Sequence, residues 1–342
     1  MQNKLIWPVI LIIAFLPPHL IIPKLPLAET IFLTFYIGHL LGLIIFLKSG
    51  KATDLFLAAF LLVLATFTKP TTLYLHLAEF FLLAGYSCYL KITWKKIINL
   101  TVIFLLLPSL MYLWWSFNNY RNTGIFVFAN VQNYNLLADN FYHLYPYLNS
   151  ANWSDGYKVN LGDELRLEKG EKLRRFLFGP YLDNFIINSK KIDPENISFN
   201  RRVELAGELG VSKILQNIYI YIPIHLAESL MLFTPNYLQT LLPIVGINYK
   251  LTLIVLEIFS GAVFLAVFVF ALYIFLKRYI GRKGFRNQSE KLTTLLLLLN
   301  ILYLLAIVGP AAFDDGGRFS FVFLPVVLIF TAGQINYHLG RS

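Results

Sequence analysis

The stretch ILQNIYIYIPIHLAESLMLF, residues 214–233, decides the fold, because it is apolar enough to be counted as a membrane span. It carries Gln216, Asn217, Pro223, His225 and Glu228, and each is costly at bilayer depth. If it crossed, the basic loop from Lys277 to Lys291 would face the opposite side from the basic loop from Lys91 to Lys96. That contradicts the tendency of Lys and Arg to collect on the cytoplasmic side. The stretch is therefore expected to form an amphipathic helix on the outer face. Ile214, Ile218, Ile222 and Leu226 fall at four-residue spacing, toward lipid or toward the bundle.

Working outward, the 342 residues are 57% hydrophobic and 14% charged, with mean hydropathy +0.62. These values lie outside the soluble globular range and define an all-α, polytopic membrane protein. A span needs about 20 apolar residues, and about eight segments qualify or nearly so. They are 5–22, 28–47, 55–67, 71–90, 97–115, 251–276, 292–308 and 321–337. The third is short, and TKPTT at 68–72 reads as a tight turn between antiparallel helices. With the N-terminus inside, the inner loops hold Lys48 and Lys51, then Lys91, Lys95 and Lys96, then the cations from Lys277 to Lys291. The short outer loops hold Lys24, Lys69 and Arg318. This asymmetry predicts both termini cytoplasmic and accounts for most of the +10 net charge, which in a soluble chain would suggest nucleic acid. The expected organisation is a five-helix part at 1–115, an extracytoplasmic region at 116–250 and a three-helix part at 251–342. The single Cys88, inside an apolar run, excludes an internal disulfide and a cysteine metal site.

The sequence has no phosphate-binding loop of the Walker type. Its six histidines are not spaced as metal ligands. Sequons at Asn152 and Asn196 matter only in a secretory lumen. What remains lies along the outer rim. Glu29 opens the second span, where an acid is either functional or a helix N-terminal residue favoured by the macrodipole. Arg318 enters the last span after Asp314 and Asp315, two residues that suit a solvated turn, and its position fits either a snorkelling anchor or a ligand-binding cation. Trp114 and Trp115 suit an interfacial belt, and Tyr120 and Arg121 follow the fifth span.

The order of FLPPHLIIPKLPLAETIFLTFYIGHLLGLII, LFLAAFLLVLATFTKPTTLYLHLAEFFLL, WSFNNYRNTGIFVF followed by NYNLL, and GGRFSFVFLPVVLIF resembles successive landmarks of the GT-C glycosyltransferases. The resemblance is to the bacterial branch related to protein O-mannosyltransferases and to the arabinose transferase that modifies lipid A. It implies transfer of a sugar, with inversion, from a polyprenyl-phosphate donor to a lipid, glycan or protein acceptor. Glu29 would be the carboxylate, and Lys69, Arg121 and Arg318 would hold the donor phosphate. Asn119, Tyr120, Asn133 and Asn135 would meet sugar or acceptor hydroxyls, with Tyr120, Arg121 and Gly124 beginning the loop over the cavity. The resemblance leaves a divalent metal open. Lys69 and Asn118 stand where the family carries arginines, and Glu29 matches the family's second acid. The first-loop Asp of the family precedes the part this chain matches, so the chain is expected to be a fragment, a degraded relative or one part of a two-chain enzyme. Two other classes fit the layout. An O-antigen polymerase or ligase would rely on loop arginines such as Arg166, Arg174, Arg175, Arg201 and Arg202, and a membrane scaffold or transporter component on no rim residue at all.

Overall fold

The computed structural model describes residues 28–89, 98–129, 133, 198–233, 250–281, 285, 287–308 and 312–339. Among these residues the regular elements are all helical, with no strand. They are α1 (Ala28–Ser49), α2 (Ala52–Thr68), α3 (Leu75–Tyr89), α4 (Leu107–Thr123), α5 (Phe199–Gln216), α6 (Ile218–Ser229), α7 (Lys250–Ile280), α8 (Gln288–Val308) and α9 (Ala312–Leu339). The expected span at 5–22, both sequons and the arginines at 166, 174 and 175 lie outside the described residues.

Four described helices are long and apolar enough to cross a membrane: Ala28–Ser49, Val102–Thr123, Phe259–Ile280 and Gln288–Val308. Ala52–Thr68, Ile218–Ala227 and Val322–His338 are apolar but shorter. Large side chains such as Phe81, Leu110, Phe259 and Ile280 are exposed. Apolar faces of that extent are compatible with an integral membrane protein and would be a liability in water.

The chain divides into two compact units, one of Met1–Tyr112 with Glu228–Ser342 and the other Leu113–Ala227. In the first, α1 and α2 form an antiparallel hairpin. In lipid, association is driven by close packing rather than by expulsion of water, so small residues mark the contact. A Cβ added at Gly42 would lie 3.1 Å from the Cβ of Ala58, which is why α1 carries a glycine there. Phe32, Tyr36, Leu40 and Leu43 of α1, one turn apart, are buried with Leu55, Ala58 and Leu62 of α2. Polar contacts fix the directions of the others. Tyr303 of α8 donates to the Thr71 carbonyl at 2.9 Å, and Tyr86 near the end of α3 donates to Gln288 at the start of α8, so α3 and α8 are antiparallel. One end of this unit thus holds Glu29, Lys69 and Tyr303, and the other holds Lys48 and Glu290.

Residues Leu100–Leu106 form a π-helical stretch running into α4. Pro108 has no N–H to give and its ring crowds the carbonyl four residues back, which a widened turn relieves. The stretch places Phe104 against His39, with ring centroids 6.0 Å apart.

The structure differs from the sequence reading at Asp314 and Asp315, which lie in the first turn of α9 and not in a turn before it, and in two longer stretches. The helix bearing Trp114 and Trp115 does not stop at 115 but continues through SFNNYRNT to Thr123. It ends at Gly124, whose φ of 77° favours a residue without Cβ and whose N–H bonds Tyr120 O at 2.8 Å. Tyr120 and Arg121 therefore belong to the last helical turn and not to the loop. The stretch 214–233 is not one helix. Asn217 breaks it, α6 carries Ile218, Ile222 and Leu226 exposed on one face, and a 3-10 turn, Leu230–Phe233, closes it. The second half of that turn is core: Leu232 and Phe233 are buried, and Phe233 packs edge-on to Phe323 with centroids 5.0 Å apart.

Candidate functional site

Glu29 occupies the second position of α1, and Lys69 caps the C-terminus of α2. Pro70 restricts the residue before it to extended backbone, and Lys69 accordingly has φ −151° and ψ 118°. This turns the lysine out of the helical path, and its Nζ donates to Glu29 Oε1 at 3.1 Å. Glu29 is 1% exposed and Lys69 15%, so the ion pair is almost dry. Removing one member would strand a buried charge, a change that typically costs about 3–5 kcal/mol. Beside the pair is a void of about 10 Å³ between Phe32, Lys69, Thr71, Leu304, Val308, Val322 and Phe323. That is room for roughly one water. The α9 backbone carries Arg318 one turn before Val322; its side chain, like those of Asp314 and Asp315, lies outside the described residues.

The structure thus brings Glu29 and Lys69 into contact. The remaining expected site residues that are described belong to the second unit. The Asn119 amide donates to the carbonyls of Val127 and Phe128, both at 2.9 Å, and Trp115 Nε1 donates to Phe128 O at 3.1 Å. Together they fold the chain after Gly124 back along α4. Tyr120 and Arg121 are exposed. Asn133 packs against α5, where a Cβ on Gly207 would lie 2.8 Å from the asparagine Cγ and would push that amide aside. Asn135 lies outside the described residues. On α5, Arg201 pairs with Glu204, and that hydrogen bond raises the guanidinium pKa above its ordinary value.

A second polar cluster, absent from the sequence reading, lies inside the first unit. His39 of α1, Glu79 of α3, Asn300 of α8 and Tyr36 of α1 are all fully buried. His39 Nδ1 is 2.9 Å from the Ala58 carbonyl, and Nε2 is 3.0 Å from Glu79 Oε2. Asn300 donates to Glu79 Oε1 at 2.8 Å and accepts from the Tyr36 hydroxyl at 2.8 Å. A carbonyl only accepts, so Nδ1 carries hydrogen. One further proton lies between Nε2 and the carboxylate, and the pair is neutral overall whichever partner holds it. Nearer the Glu29 end, Thr66 Oγ1 meets Thr72 Oγ1 at 2.9 Å and the Tyr112 hydroxyl at 2.8 Å. The signal that could have found the first cluster is simple: His39, Glu79 and Asn300 each interrupt an apolar run, and ionisable residues at such depth pair with one another.

Among the described residues no group of three or more His, Cys, Asp or Glu side chains is placed to hold a metal ion. Set against known proteins, the chain matches no family model, no curated protein and no solved structure.

Proposed function

We propose that the chain is a GT-C-like membrane glycosyltransferase that moves a sugar from a polyprenyl-phosphate donor to an acceptor hydroxyl at the extracytoplasmic face. The observation that carries this reading is the buried Glu29–Lys69 pair, 3.1 Å apart, at the end of the unit where α9 brings in Arg318. The reaction requires those two kinds of group. A carboxylate takes the acceptor proton as its oxygen attacks the anomeric carbon, and cations stabilise the polyprenyl phosphate as the carbon–oxygen bond to it breaks. Direct displacement inverts the anomeric centre. At rest Lys69 neutralises Glu29. A donor phosphate that competes for the ammonium would draw it off the carboxylate and leave Glu29 the stronger base, so donor binding would precede acceptor activation. Arg318 is the further phosphate cation of this reading on the same unit; Arg121, expected at the phosphate, and Asn119, Tyr120, Asn133 and Asn135, expected at sugar or acceptor, rest on the family resemblance alone and belong to the second unit. A divalent metal remains an open part of it.

An eight-span bundle in an inner membrane, with 116–250 outside, belongs to the same proposal. In support, Lys48, Arg278 and Lys291 cluster at the end of the first unit opposite Glu29, as the positive-inside rule requires of a cytoplasmic end. Tyr112 and Ser229, next to the points where the chain leaves and re-enters that unit, lie toward its Glu29 end, through Thr66 and Leu305.

The test is transfer of labelled sugar from a polyprenyl-phosphate donor in reconstituted membranes. Glu29→Gln should lower kcat about 10²-fold or more, as loss of a positioned base does, and Lys69→Met should raise KM for the donor. Unchanged transfer in both variants would reject the site. Transfer that needs Arg201 and Arg202 but not Glu29 would favour a polymerase or ligase.

A further inference from the structure

At the end of the first unit opposite Glu29, α1, α7, α8 and α9 surround a cavity of about 610 Å³, within the roughly 300–1,000 Å³ of small-ligand sites. Its deeper positions are apolar: Leu297, two turns past Glu290 on α8, and Ile329 and Phe330, a turn before Gln334 on α9. Its outer positions are polar and carry charge. Lys48, in the last turn of α1, is exposed, whereas Arg278 is 5% exposed. The Arg278 guanidinium lies 3.4 Å from the Tyr337 ring centroid and 4.3 Å from that of Phe285. It donates to Gln334 Oε1 at 2.7 Å and Glu290 Oε1 at 2.6 Å. That side chain cannot swing away. Among the described lining residues two cations face the single carboxylate of Glu290, and the N-terminus of the 21-residue α8 adds its positive end.

Gly333 of α9 lines the same cavity. A Cβ built there would meet no atom within 4 Å, so no neighbouring helix requires the glycine. Glycine is among the poorest residues for a helix interior. The open volume it leaves belongs to the cavity.

We infer that this cavity binds an anionic phospholipid, its phosphate against Lys48 and Arg278 and an acyl chain along Leu297, Ile329 and Phe330. Zwitterionic lipid would satisfy the apolar wall but not the positive excess, and free phosphate would satisfy the charge but not the wall. Basic pockets between spans are suited to anionic headgroups for this reason. The inference does not rest on the transferase reading, which concerns the other end of the unit.

The experiment uses the full chain in detergent with fluorescent phosphatidylglycerol as probe, and phosphatidylcholine and inorganic phosphate as competitors. Binding should saturate, phosphatidylcholine should compete about tenfold less well than unlabelled phosphatidylglycerol, and millimolar inorganic phosphate should not displace the probe. Lys48→Gln, at an exposed position, should weaken binding about fivefold, the worth of one lysine near an anionic lipid. Gly333→Leu should abolish saturable binding while thermal unfolding stays at the wild-type temperature. Wild-type affinity in both variants would overturn the inference. Equal competition by phosphatidylcholine would reduce the cavity to an apolar groove, and displacement by inorganic phosphate would make it a site for free anions; each result rejects the lipid assignment. Should Gly333→Leu fail to fold, Lys48→Gln decides.

Discussion

Replacing Glu79 by leucine would leave His39 Nε2 and one Asn300 N–H without their hydrogen-bond partner inside a fully buried cluster. Each buried group so stranded costs about 1–3 kcal/mol, which gives about 2–6 kcal/mol for the single substitution. The unfolded chain in a membrane also finds polar partners, and bonds of this kind in lipid average nearer 0.6 kcal/mol, so the lower part of that range, about 2–3 kcal/mol, is the expectation. Glu79→Gln should cost under about 1 kcal/mol. Its amide can donate to His39 Nε2, whose ring keeps its bond to the Ala58 carbonyl, while its carbonyl still accepts from Asn300. The double variant His39→Leu/Glu79→Leu should be more stable than Glu79→Leu alone by about 1–2 kcal/mol, because apolar replacement of a complete buried pair is often neutral whereas removal of one member is not. The assay is a double-mutant cycle on reversible unfolding of the purified protein in mixed detergent micelles. Additive single effects, with the double variant no better than Glu79→Leu, would show that His39 and Glu79 are not coupled and would refute the shared-proton description.

Gly42→Val puts a side chain 3.1 Å or less from Ala58 and should destabilise the α1–α2 hairpin by about 1–3 kcal/mol in the same unfolding assay. A wild-type midpoint would mean the two helices have slack. Reporter fusions after Gln239 should read as extracytoplasmic and fusions after Gly284 as cytoplasmic; a cytoplasmic reading at Gln239 would make 214–233 a span and break the proposed topology. Arg318→Ala should weaken donor binding by about 2–3 kcal/mol if the guanidinium meets a desolvated phosphate, and Arg318→Lys should recover part of that, since lysine lacks the planar fork. Equal donor affinity in all three proteins would leave Arg318 an anchor.

The long apolar runs were legible because a span announces itself by composition alone, and α1, α7 and α8 match the expected segments closely. The Glu29–Lys69 end was legible too, since an acid opening one run and a Lys-Pro step closing another are local signals. Two kinds of feature were not. SFNNYRNT looks like loop because its residues are polar, yet polar side chains are no obstacle to a helix that runs on until a glycine ends it at 124. The contact of Glu79 with His39 and Asn300 joins residues 40 and 221 positions apart. Periodicity reports which face of a helix is apolar, and it is silent on which interrupting residues will meet.

The π-helical turn at Leu100–Leu106 has an arithmetic consequence. An i→i+5 stretch is what an α-helix becomes when it accommodates one residue more than its ladder can hold. Deleting a single residue within Leu100–Leu106 would therefore restore the ordinary ladder and leave the two ends of the helix close to their present phase, because the widened turn had taken up the extra residue. Deleting one from the ordinary helix after Pro108 would instead turn everything beyond it by about 100° against Phe104 and the His39 ring it touches. The widened stretch is thus the one place along the helix where a residue can be lost without shifting its faces, whereas a single-residue edit further along should act like a frameshift of a surface.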